Sequence, residues 1–356
     1  MSKKRKSTKK IPFWLKVLIS LLVIITITGG IAFYRLYHAI YQPNVFLGER
    51  VTVHIYIPTG STFTDVKAIL YENGMILNTN TFEWLAEKKN YKNRVRPGRY
   101  LIHEDMGNNE LINLLRSGEQ DPINLTFHNI RLKEQLAGVI AMQIEADSLS
   151  IINALNDAEL LKPFDLTPET AKLLFIPNTY EFFWNTSAEQ LIERMGREYA
   201  AFWNEQRQKK AEKLNLTTNQ VGTLASIVQQ ETIKADEFAR VAGVYINRLK
   251  KNMPLQADPT VIYAIGDFSI RRVLNRHLAF DSPYNTYKYT GLPPGPIALP
   301  NPQVIDGVLN YENHDFLYFC AKDDFSGYHA FAKTYSQHLA NARRYQNALN
   351  QRRIMQ

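Results

Sequence analysis

The first pattern along the chain is one long apolar run. Residues 17–34 carry no charge and are rich in Ile, Leu and Val, with Ser20, Thr26 and Thr28 as the polar members. A helix of this length covers about 27 Å, close to the hydrocarbon thickness of a bilayer. Five aromatic residues flank the run: Phe13, Trp14, Tyr34, Tyr37 and Tyr41. Because aromatic side chains favour membrane interfaces, the pattern predicts a transmembrane helix at 17–34, followed by a juxtamembrane linker at 35–50.

After the linker, apolar and polar residues alternate, which is typical of a half-buried strand. The predicted elements are a strand at 51–57, a helix from a cap at Ser61 or Thr62 to 73–74, a helix at 79–89 and a strand at 100–102. This βααβ order within residues 51–118 resembles a LysM module, a small fold associated with glycan binding. A plain structural spacer is the alternative interpretation.

The rest of the chain mixes both patterns and shows no internal repeat. Further helices are predicted at 108–116, 133–142 and 188–204 and from Ser336. A strand or turn is predicted at 175–182, and strands at 123–127, 317–322 and 328–333. The last two strands form a hairpin, and the proline-rich stretch 280–302 predicts an irregular loop. The fold class is therefore α+β: one N-terminal transmembrane helix, a small βααβ module and a mixed α+β domain at 119–350.

One carboxylate interrupts an apolar stripe. Over residues 218–242, with Thr218 as the cap, apolar residues step by threes and fours, and Glu231 fills the gap in the series Val221, Leu224, Val228, Ala235, Phe238, Ala242. Loss of hydration raises the pKa of such a carboxyl group, so Glu231 can donate a proton, as the general acid in sugar cleavage does. The alternative is a structural ion pair with Arg240 or Arg248.

Composition and charge exclude several classes of protein. The chain has 356 residues, 45% of them hydrophobic and 21% charged, which is enough for about two domains with cores. The net charge of +8 comes from seven basic residues within the first 16, and without them 35 basic residues face 34 acidic ones. The excess positive charge is confined to this N-terminal tail and does not form a DNA-binding face, so no nucleic-acid partner is expected.

The basic tail also predicts an orientation. Lysines precede the apolar run and only Arg35 follows it closely, so the positive-inside rule places residues 1–16 in the cytoplasm and everything from about residue 36 outside. The predicted location is the inner (cytoplasmic) membrane, crossed once. A signal peptide cleaved near residues 30–32 is the alternative, but its apolar region is usually only about 7–15 residues long.

Other chemistry has weaker support. The single cysteine, Cys320, lies in an apolar run, where a small buried thiol is expected rather than a nucleophile. Nucleotide-binding, zinc and serine-nucleophile motifs are absent. His329 and His338 bracket the final hairpin without metal-ligand spacing and are interpreted as surface or hydrogen-bonded residues. No metal or cofactor is expected.

Five blocks carry a family resemblance. In order they are LASIVQQET (224–232), NRL (247–249), LQADPTVIY (255–263), SPYNTY (282–287) and GLPPGPI (291–297). They resemble the endolytic murein transglycosylase (YceG-like) family, and the anchor and the LysM-like module resemble it too. The resemblance implies a lysozyme-like catalytic helix, with Glu231 as catalytic acid/base.

Within these blocks, several side chains suit a sugar polymer. Gln256, Asn285 and Tyr287 can hydrogen-bond sugar hydroxyl and N-acetyl groups, and the faces of Tyr284 and Tyr287 suit apolar sugar faces; ordinary loop packing is the alternative for each. Asp258 is interpreted most simply as a helix N-cap.

The chain departs from the family at two places. Many members carry a second acid two residues before the catalytic one, where this chain has Gln229, which we take to point elsewhere and to be dispensable. The family's Glu-Gly before the Pro-x-Thr-Tyr block is replaced by Leu173-Leu174-Phe175, which leaves the role of the segment near Pro177 open.

The resemblance implies a membrane-anchored enzyme that cleaves peptidoglycan strands between N-acetylmuramic acid and N-acetylglucosamine and forms a 1,6-anhydro end. We hypothesise that it cuts nascent strands beside the synthesis machinery. One rival is a muramidase-type hydrolase, which usually requires a second carboxylate, with Asp258 nearest in sequence. The other is a non-catalytic wall-binding anchor that uses only the LysM-like module.

Overall fold

A computed structural model describes residues 12–128 and 130–352, which form an α+β protein of two compact units. The first unit comprises the chain up to residue 122 together with 183–185. Its helices are α1 (Phe13–Tyr41), α2 (Phe63–Glu72), α3 (Thr79–Lys88) and α4 (Asn108–Ser117), and its strands are β1 (Thr52–Ile57) and β2 (Gly98–His103). The predicted βααβ order is confirmed.

The first unit has its own core beneath a two-stranded antiparallel sheet. Thr52 pairs with His103 and Ile57 with Gly98, so the apolar alternation faces inward along β1 as predicted. Thr62, not Ser61, caps α2 and forms a capping box with Asp65. Large apolar side chains from α2, α3 and both strands fill the interior: Ile55, Ile57, Val66, Leu70, Phe82, Leu85, Tyr100 and Ile102.

Helix α1 is the one helix among the described residues long and apolar enough to cross a membrane. None of its residues is buried by the protein. The helix continues through residues 35–41, which had been predicted as part of a linker. Its last turn is bound to the first unit, because the Asn108 side chain donates a hydrogen bond to the Ala39 carbonyl at 2.9 Å and Ile40 packs against the core. The predicted basic tail lies largely outside the described residues.

The second unit comprises residues 123–182 and 186–356. Its strands form two antiparallel pairs: β3 (Ile123–Thr126) with β4 (Thr179–Phe182), and β5 (Tyr318–Ala321) with β6 (His329–Ala332). Its helices are α5 (Lys133–Ala141), α6 (Ser148–Asn156), α7 (Ala158–Leu161), α8 (Ala188–Phe202), α9 (Glu205–Lys213), α10 (Thr218–Glu231), α11 (Phe238–Lys250), α12 (Asp258–Ile265), α13 (Asn275–Leu278), α14 (Pro302–Leu309) and α15 (Tyr335–Gln351). The predicted hairpin, C-terminal helix and irregular loop before α14 are confirmed.

Helix α10 lies in the interior of the second unit. Residues 221–228 are all buried, and the helix packs against α11 and α14. A Cβ atom on Gly222 would lie 2.7 Å from the Leu173 side chain, so glycine permits a close approach there. Thr217 is the N-cap and forms a capping box with Gln220, which corrects the prediction of Thr218 as the cap.

The predicted continuous stripe over 218–242 is wrong, because α10 ends at Glu231. Thr232 adopts an extended conformation, and its hydroxyl accepts a hydrogen bond from the Lys234 N–H at 3.0 Å. A short 3-10 turn at Ala235–Glu237 then leads into α11. Glu231 therefore occupies the last helical position and not the middle of a buried face.

Candidate active site

Glu231 opens onto a cavity of about 340 Å³ in the second unit. This volume lies within the range of small-molecule sites, about 300 to 1,000 Å³. The lining residues come from α10, α11, α12, the irregular loop, the hairpin and α15: Glu231, Tyr245, Arg248, Leu255, Gln256, Asp258, Tyr287, Tyr318, Phe319, Cys320, Ala321, His329, Tyr335 and His338. Two carboxylates, Glu231 and Asp258, thus face a cavity with polar and aromatic walls.

The environment of Glu231 favours its protonated form. The pKa of its carboxyl group is raised to about 7: burial raises it most, the Tyr245 hydrogen bond opposes the rise, the charge of Asp258 adds to it and the charge of Arg248 lowers it. Its position also disfavours the anion, because the C-terminal end of a helix carries partial negative charge. Glu231 can therefore hold a proton near neutral pH.

Tyr245 fixes the orientation of this carboxyl group. Its hydroxyl donates a hydrogen bond to Glu231 Oε1 at 2.8 Å, from α11, which packs directly against α10. Glu231 Oε2 has no hydrogen-bond partner in the part of the chain that the structure describes. The second oxygen is thus available to exchange a proton with a molecule in the cavity.

The structural ion-pair interpretation of Glu231 is wrong. Arg240 pairs with Glu312 at 2.8 Å. The guanidinium of Arg248 donates to backbone carbonyls, including those of Leu317 at 2.7 Å and Leu255 at 2.8 Å. Within the described residues no arginine lies within ion-pair distance of Glu231. Its carboxyl group is not committed to a structural partner of opposite charge.

Asp258 and Tyr287 form a second polar pair in the cavity. The Tyr287 hydroxyl donates to Asp258 Oδ1 at 2.6 Å. Asp258 is the first residue of α12, whose cap is Ala257 and has no side-chain cap bond, so the prediction of Asp258 as N-cap is wrong. Burial, and then the hydrogen bond to Asp258, raise the pKa of the Tyr287 hydroxyl.

The structure brings two of the four predicted sugar contacts to the cavity. Gln256 lines it with Tyr287, and its Oε1 accepts a hydrogen bond from Arg248 at 3.3 Å. Asn285 is fully buried, and its amide donates to the carbonyls of Leu278 and Phe280. Tyr284 lies outside the cavity lining and packs on another tyrosine ring. Gln256 and Tyr287 stay predicted substrate contacts, while Asn285 shapes the irregular loop.

Sequence reasoning missed one wall of the cavity. Tyr318 from β5, His329 from β6, and Tyr335 and His338 from α15 all line it. The two histidines had been interpreted as surface or hydrogen-bonded residues. Tyr335 and His338 are three positions apart on one helix and so share a face, which is the one spacing signal that the sequence offered.

Cys320 also lines the cavity and is half-buried. Burial raises the pKa of its thiol, which disfavours the thiolate and hence a nucleophilic role. Among the described residues there is no cluster of three or more histidine, cysteine or acidic side chains that could hold a metal ion. Glu231 is thus the group in this cavity best suited to proton transfer.

Gln229 points away from the cavity, as expected from the sequence. Its amide donates to the Leu299 carbonyl at 2.8 Å, and its oxygen accepts from the Asn301 N–H at 2.6 Å. The side chain thereby ties α10 to the end of the irregular loop. A carboxylate could accept here but could not donate to the carbonyl.

Comparison with known proteins gives consistent matches over most of the chain. The model of the YceG-like family matches residues 55–344. A Bacillus subtilis protein named endolytic murein transglycosylase is 32% identical over 321 residues, covering 85% of this chain and 88% of that protein. A Streptococcus pneumoniae protein of the same name is 28% identical over 333 residues, but this chain spans only 59% of its length. The crystal structure of a yceG-like protein from Listeria monocytogenes has a TM-score of 0.53 and 28% identity, covering 81% of this chain and 98% of that one.

Proposed function

The chain belongs to the YceG-like family, and from this membership we propose that it is an endolytic murein transglycosylase, a lytic enzyme acting on the glycan strands of peptidoglycan. The observation that carries the proposal is the carboxyl group of Glu231. It is half-buried, has a pKa near 7 and faces a cavity with polar and aromatic walls. A binding anchor would have no use for a carboxyl group held in this way.

We propose that Glu231 acts first as general acid and then as general base. Oε2 donates its proton to the oxygen of the bond between N-acetylmuramic acid and N-acetylglucosamine, and the bond from C1 to that oxygen breaks. The resulting carboxylate takes the proton of the muramoyl 6-hydroxyl, whose oxygen bonds to C1. The products are a 1,6-anhydro end and a free 4-hydroxyl, so no water is consumed and Glu231 regains its proton.

Hydrolysis of the same bond would need a second carboxylate to activate water or to trap the sugar. Asp258 is the candidate on this cavity, but one of its oxygens already accepts the Tyr287 hydrogen bond. A pKa near 7 suits one group in both roles, because a group that titrates near the working pH can donate and accept. This favours the transglycosylase over the muramidase.

Helix α1 supports a membrane anchor. Its residues are apolar and exposed, which suits a lipid environment. We propose a single crossing of the cytoplasmic membrane by α1, with residues 1–16 inside and the chain that follows α1, including the rest of the first unit and the whole second unit, outside. Because the last turn of α1 is bound to the first unit, that unit would lie close to the membrane, where nascent strands emerge beside the synthesis machinery.

The first unit is proposed to bind glycan in the manner of a LysM module. Its βααβ order supports this, and so does its own buried core, which lets it act as an independent module. We propose further that α10 corresponds to the catalytic helix of lysozyme-like enzymes, since both would present one acid at a sugar-binding groove.

The chemistry of the product ends tests the proposed reaction. The full-length protein in detergent micelles is incubated with purified glycan strands, and the fragments are analysed by mass spectrometry. We expect 1,6-anhydro ends, which are lighter by one water than reducing ends. Reducing ends alone would contradict the transglycosylase and support the hydrolase, and strands left intact would contradict both.

A further inference from the structure

His329 is held by a buried carboxylate at the wall of the Glu231 cavity. Glu237 is only 3% exposed and binds His329 twice, through the backbone N–H at 2.9 Å and the ring Nδ1 at 2.8 Å. The Thr232 hydroxyl donates a third hydrogen bond to the same carboxylate at 3.3 Å. Because a carboxylate accepts hydrogen bonds, Nδ1 carries the hydrogen in the neutral ring.

In this neutral form the other ring nitrogen, Nε2, is an acceptor of hydrogen bonds. Within the described chain, His329 Nε2 makes no hydrogen bond, although the residue lines the cavity. The Phe319 ring packs against the imidazole edge to face, with 5.2 Å between the ring centroids. The ring is thus fixed on two sides while one lone pair stays available to a ligand.

The cavity lining also includes an aromatic shelf, which we define as Tyr318, Tyr335 and His338. The rings of Tyr318 and His338 stack at 5.5 Å and 25°, and Tyr335 lies 5.8 Å from Tyr318. The Arg248 guanidinium contacts the Tyr318 ring at 5.1 Å. Tyr335 is 60% exposed, so one large ring of the shelf is not covered by the protein core.

We infer that this wall is a sugar-binding subsite of the Glu231 cavity, in which His329 Nε2 accepts a hydrogen bond from a sugar hydroxyl and the aromatic shelf packs against the apolar face of a sugar ring of the bound strand. The negative face of an aromatic ring attracts the partly positive C–H groups of a sugar. A hydroxyl that donates to His329 fixes the orientation of that sugar. The inference rests on the proposed function for its substrate class.

This role separates binding from proton transfer. His329 and the shelf hold the sugar, and Glu231 reacts with it. Loss of either binding group should therefore raise KM and leave kcat nearly unchanged. If His329 were instead the base for the attacking hydroxyl, its loss should lower kcat strongly and leave KM nearly unchanged.

Binding is measured without cleavage, on the full-length protein carrying Glu231→Gln, with purified glycan strands as the probe. His329→Asn is the key variant, because the asparagine amide can keep the hydrogen bond to Glu237 but has no group at the position of Nε2. Tyr335→Leu removes the exposed ring, and Tyr335→Phe retains it. The control is His128→Asn, at an exposed histidine of the second unit that lies outside the cavity lining.

We expect His329→Asn and Tyr335→Leu each to weaken binding by about fivefold to tenfold, the effect of one hydrogen bond or one ring contact. Tyr335→Phe and His128→Asn should stay within about twofold of the parent. Parental affinity of His329→Asn at an unchanged unfolding temperature would overturn the inference. If His329→Asn lowers that temperature, the exposed Tyr335→Leu decides, and parental affinity there overturns the subsite.

The kinetic constants of His329→Asn and Tyr335→Leu, each made in the protein that retains Glu231, complete the test. A raised KM with kcat within about twofold supports the subsite, and a kcat loss of about a hundredfold with unchanged KM overturns it. Failure of the protein to cleave glycan would contradict the proposed function alone, because the binding measurement does not depend on cleavage.

Discussion

The Tyr245 hydroxyl lies 2.8 Å from Glu231 Oε1 and joins α11 to the last residue of α10. The hydrogen bond orients the carboxyl group, and it stabilises the anion more than the acid. Tyr245 therefore opposes the effect of burial on the pKa of Glu231. The titration of Glu231 is set by this balance, so changes to either side should move it in a defined direction.

Tyr245→Phe should raise the pKa of Glu231, because the variant removes a hydrogen bond that favours the anion. Protonated Glu231 is required for the first step, so the alkaline limb of the pH–rate profile should move to higher pH. We expect a shift of about one pH unit, since a hydrogen bond to a charged group contributes about 1.5 kcal/mol. The profile of kcat/KM measures it, and a shift to lower pH would contradict the assignment of this limb to Glu231.

Asp258→Asn should act in the opposite direction. The charge of Asp258 raises the pKa of Glu231, and asparagine removes that charge while its oxygen can still accept the Tyr287 hydrogen bond. The alkaline limb should move to lower pH, with activity kept on the acidic side of the new pKa. If activity is lost at every pH, Asp258 itself takes part in the reaction, as the hydrolase would require.

Glu231→Gln should stabilise the protein at alkaline pH. The folded-state pKa of Glu231 is about 7, above the ordinary value of 4.5, so the folded state binds this proton more tightly than the unfolded state. The contribution of Glu231 to stability is complete below pH 4.5 and is lost as the pH rises through 7. Relative to wild type, the variant should gain up to roughly 3 kcal/mol at pH 8.

The measurement is denaturant unfolding of both proteins at pH 8 and at pH 5. The stability difference between variant and wild type should be larger at pH 8. Equal differences at both pH values would mean that the Glu231 carboxyl group titrates normally.

Gln229→Glu introduces a second acid two residues before Glu231, yet it should impair the protein. A carboxylate cannot donate to the Leu299 carbonyl, which then loses its partner, at a cost of about 1 to 2 kcal/mol. Gln230→Glu is the matched control, because Arg131 donates to Gln230 Oε1 at 2.8 Å and would pair with a carboxylate there. Thermal unfolding and glycan turnover distinguish the two, and higher turnover in Gln229→Glu would contradict the structural role of Gln229.

Where the information was local, the sequence predicted the structure well. The alternation at 51–57 predicted the inward face of β1, and the apolar runs at 317–322 and 328–333 predicted the hairpin. The end of α10 was missed because apolar residues continue to recur every three or four positions beyond Glu231. In the structure the helix nevertheless ends there, and the Thr232 hydroxyl accepts a hydrogen bond from the Lys234 N–H in the turn that follows. Asp258 was misplaced by one position because its side chain bonds to Tyr287 and not to the helix backbone.

The candidate site was only partly predictable for a different reason. Glu231 was singled out because a carboxylate interrupts an apolar stripe, and its catalytic role was implied by the family resemblance of the surrounding sequence. The binding wall depends on pairs that are remote in sequence, such as Glu237 with His329. Folding brings these side chains together, and apart from the three-residue spacing of Tyr335 and His338 the sequence gives no sign that they meet.

The most direct test of the central claim is the turnover of glycan strands by Glu231→Gln beside Glu312→Gln, a matched change at a glutamate paired with Arg240 outside the cavity. Release of anhydro fragments by each full-length protein is quantified by mass spectrometry. We expect Glu231→Gln to lose at least about a hundredfold in rate, because an amide is not acidic enough to protonate the glycosidic oxygen, while Glu312→Gln keeps nearly full activity. Equal release of anhydro fragments by Glu231→Gln and wild type would show that Glu231 is not the acid.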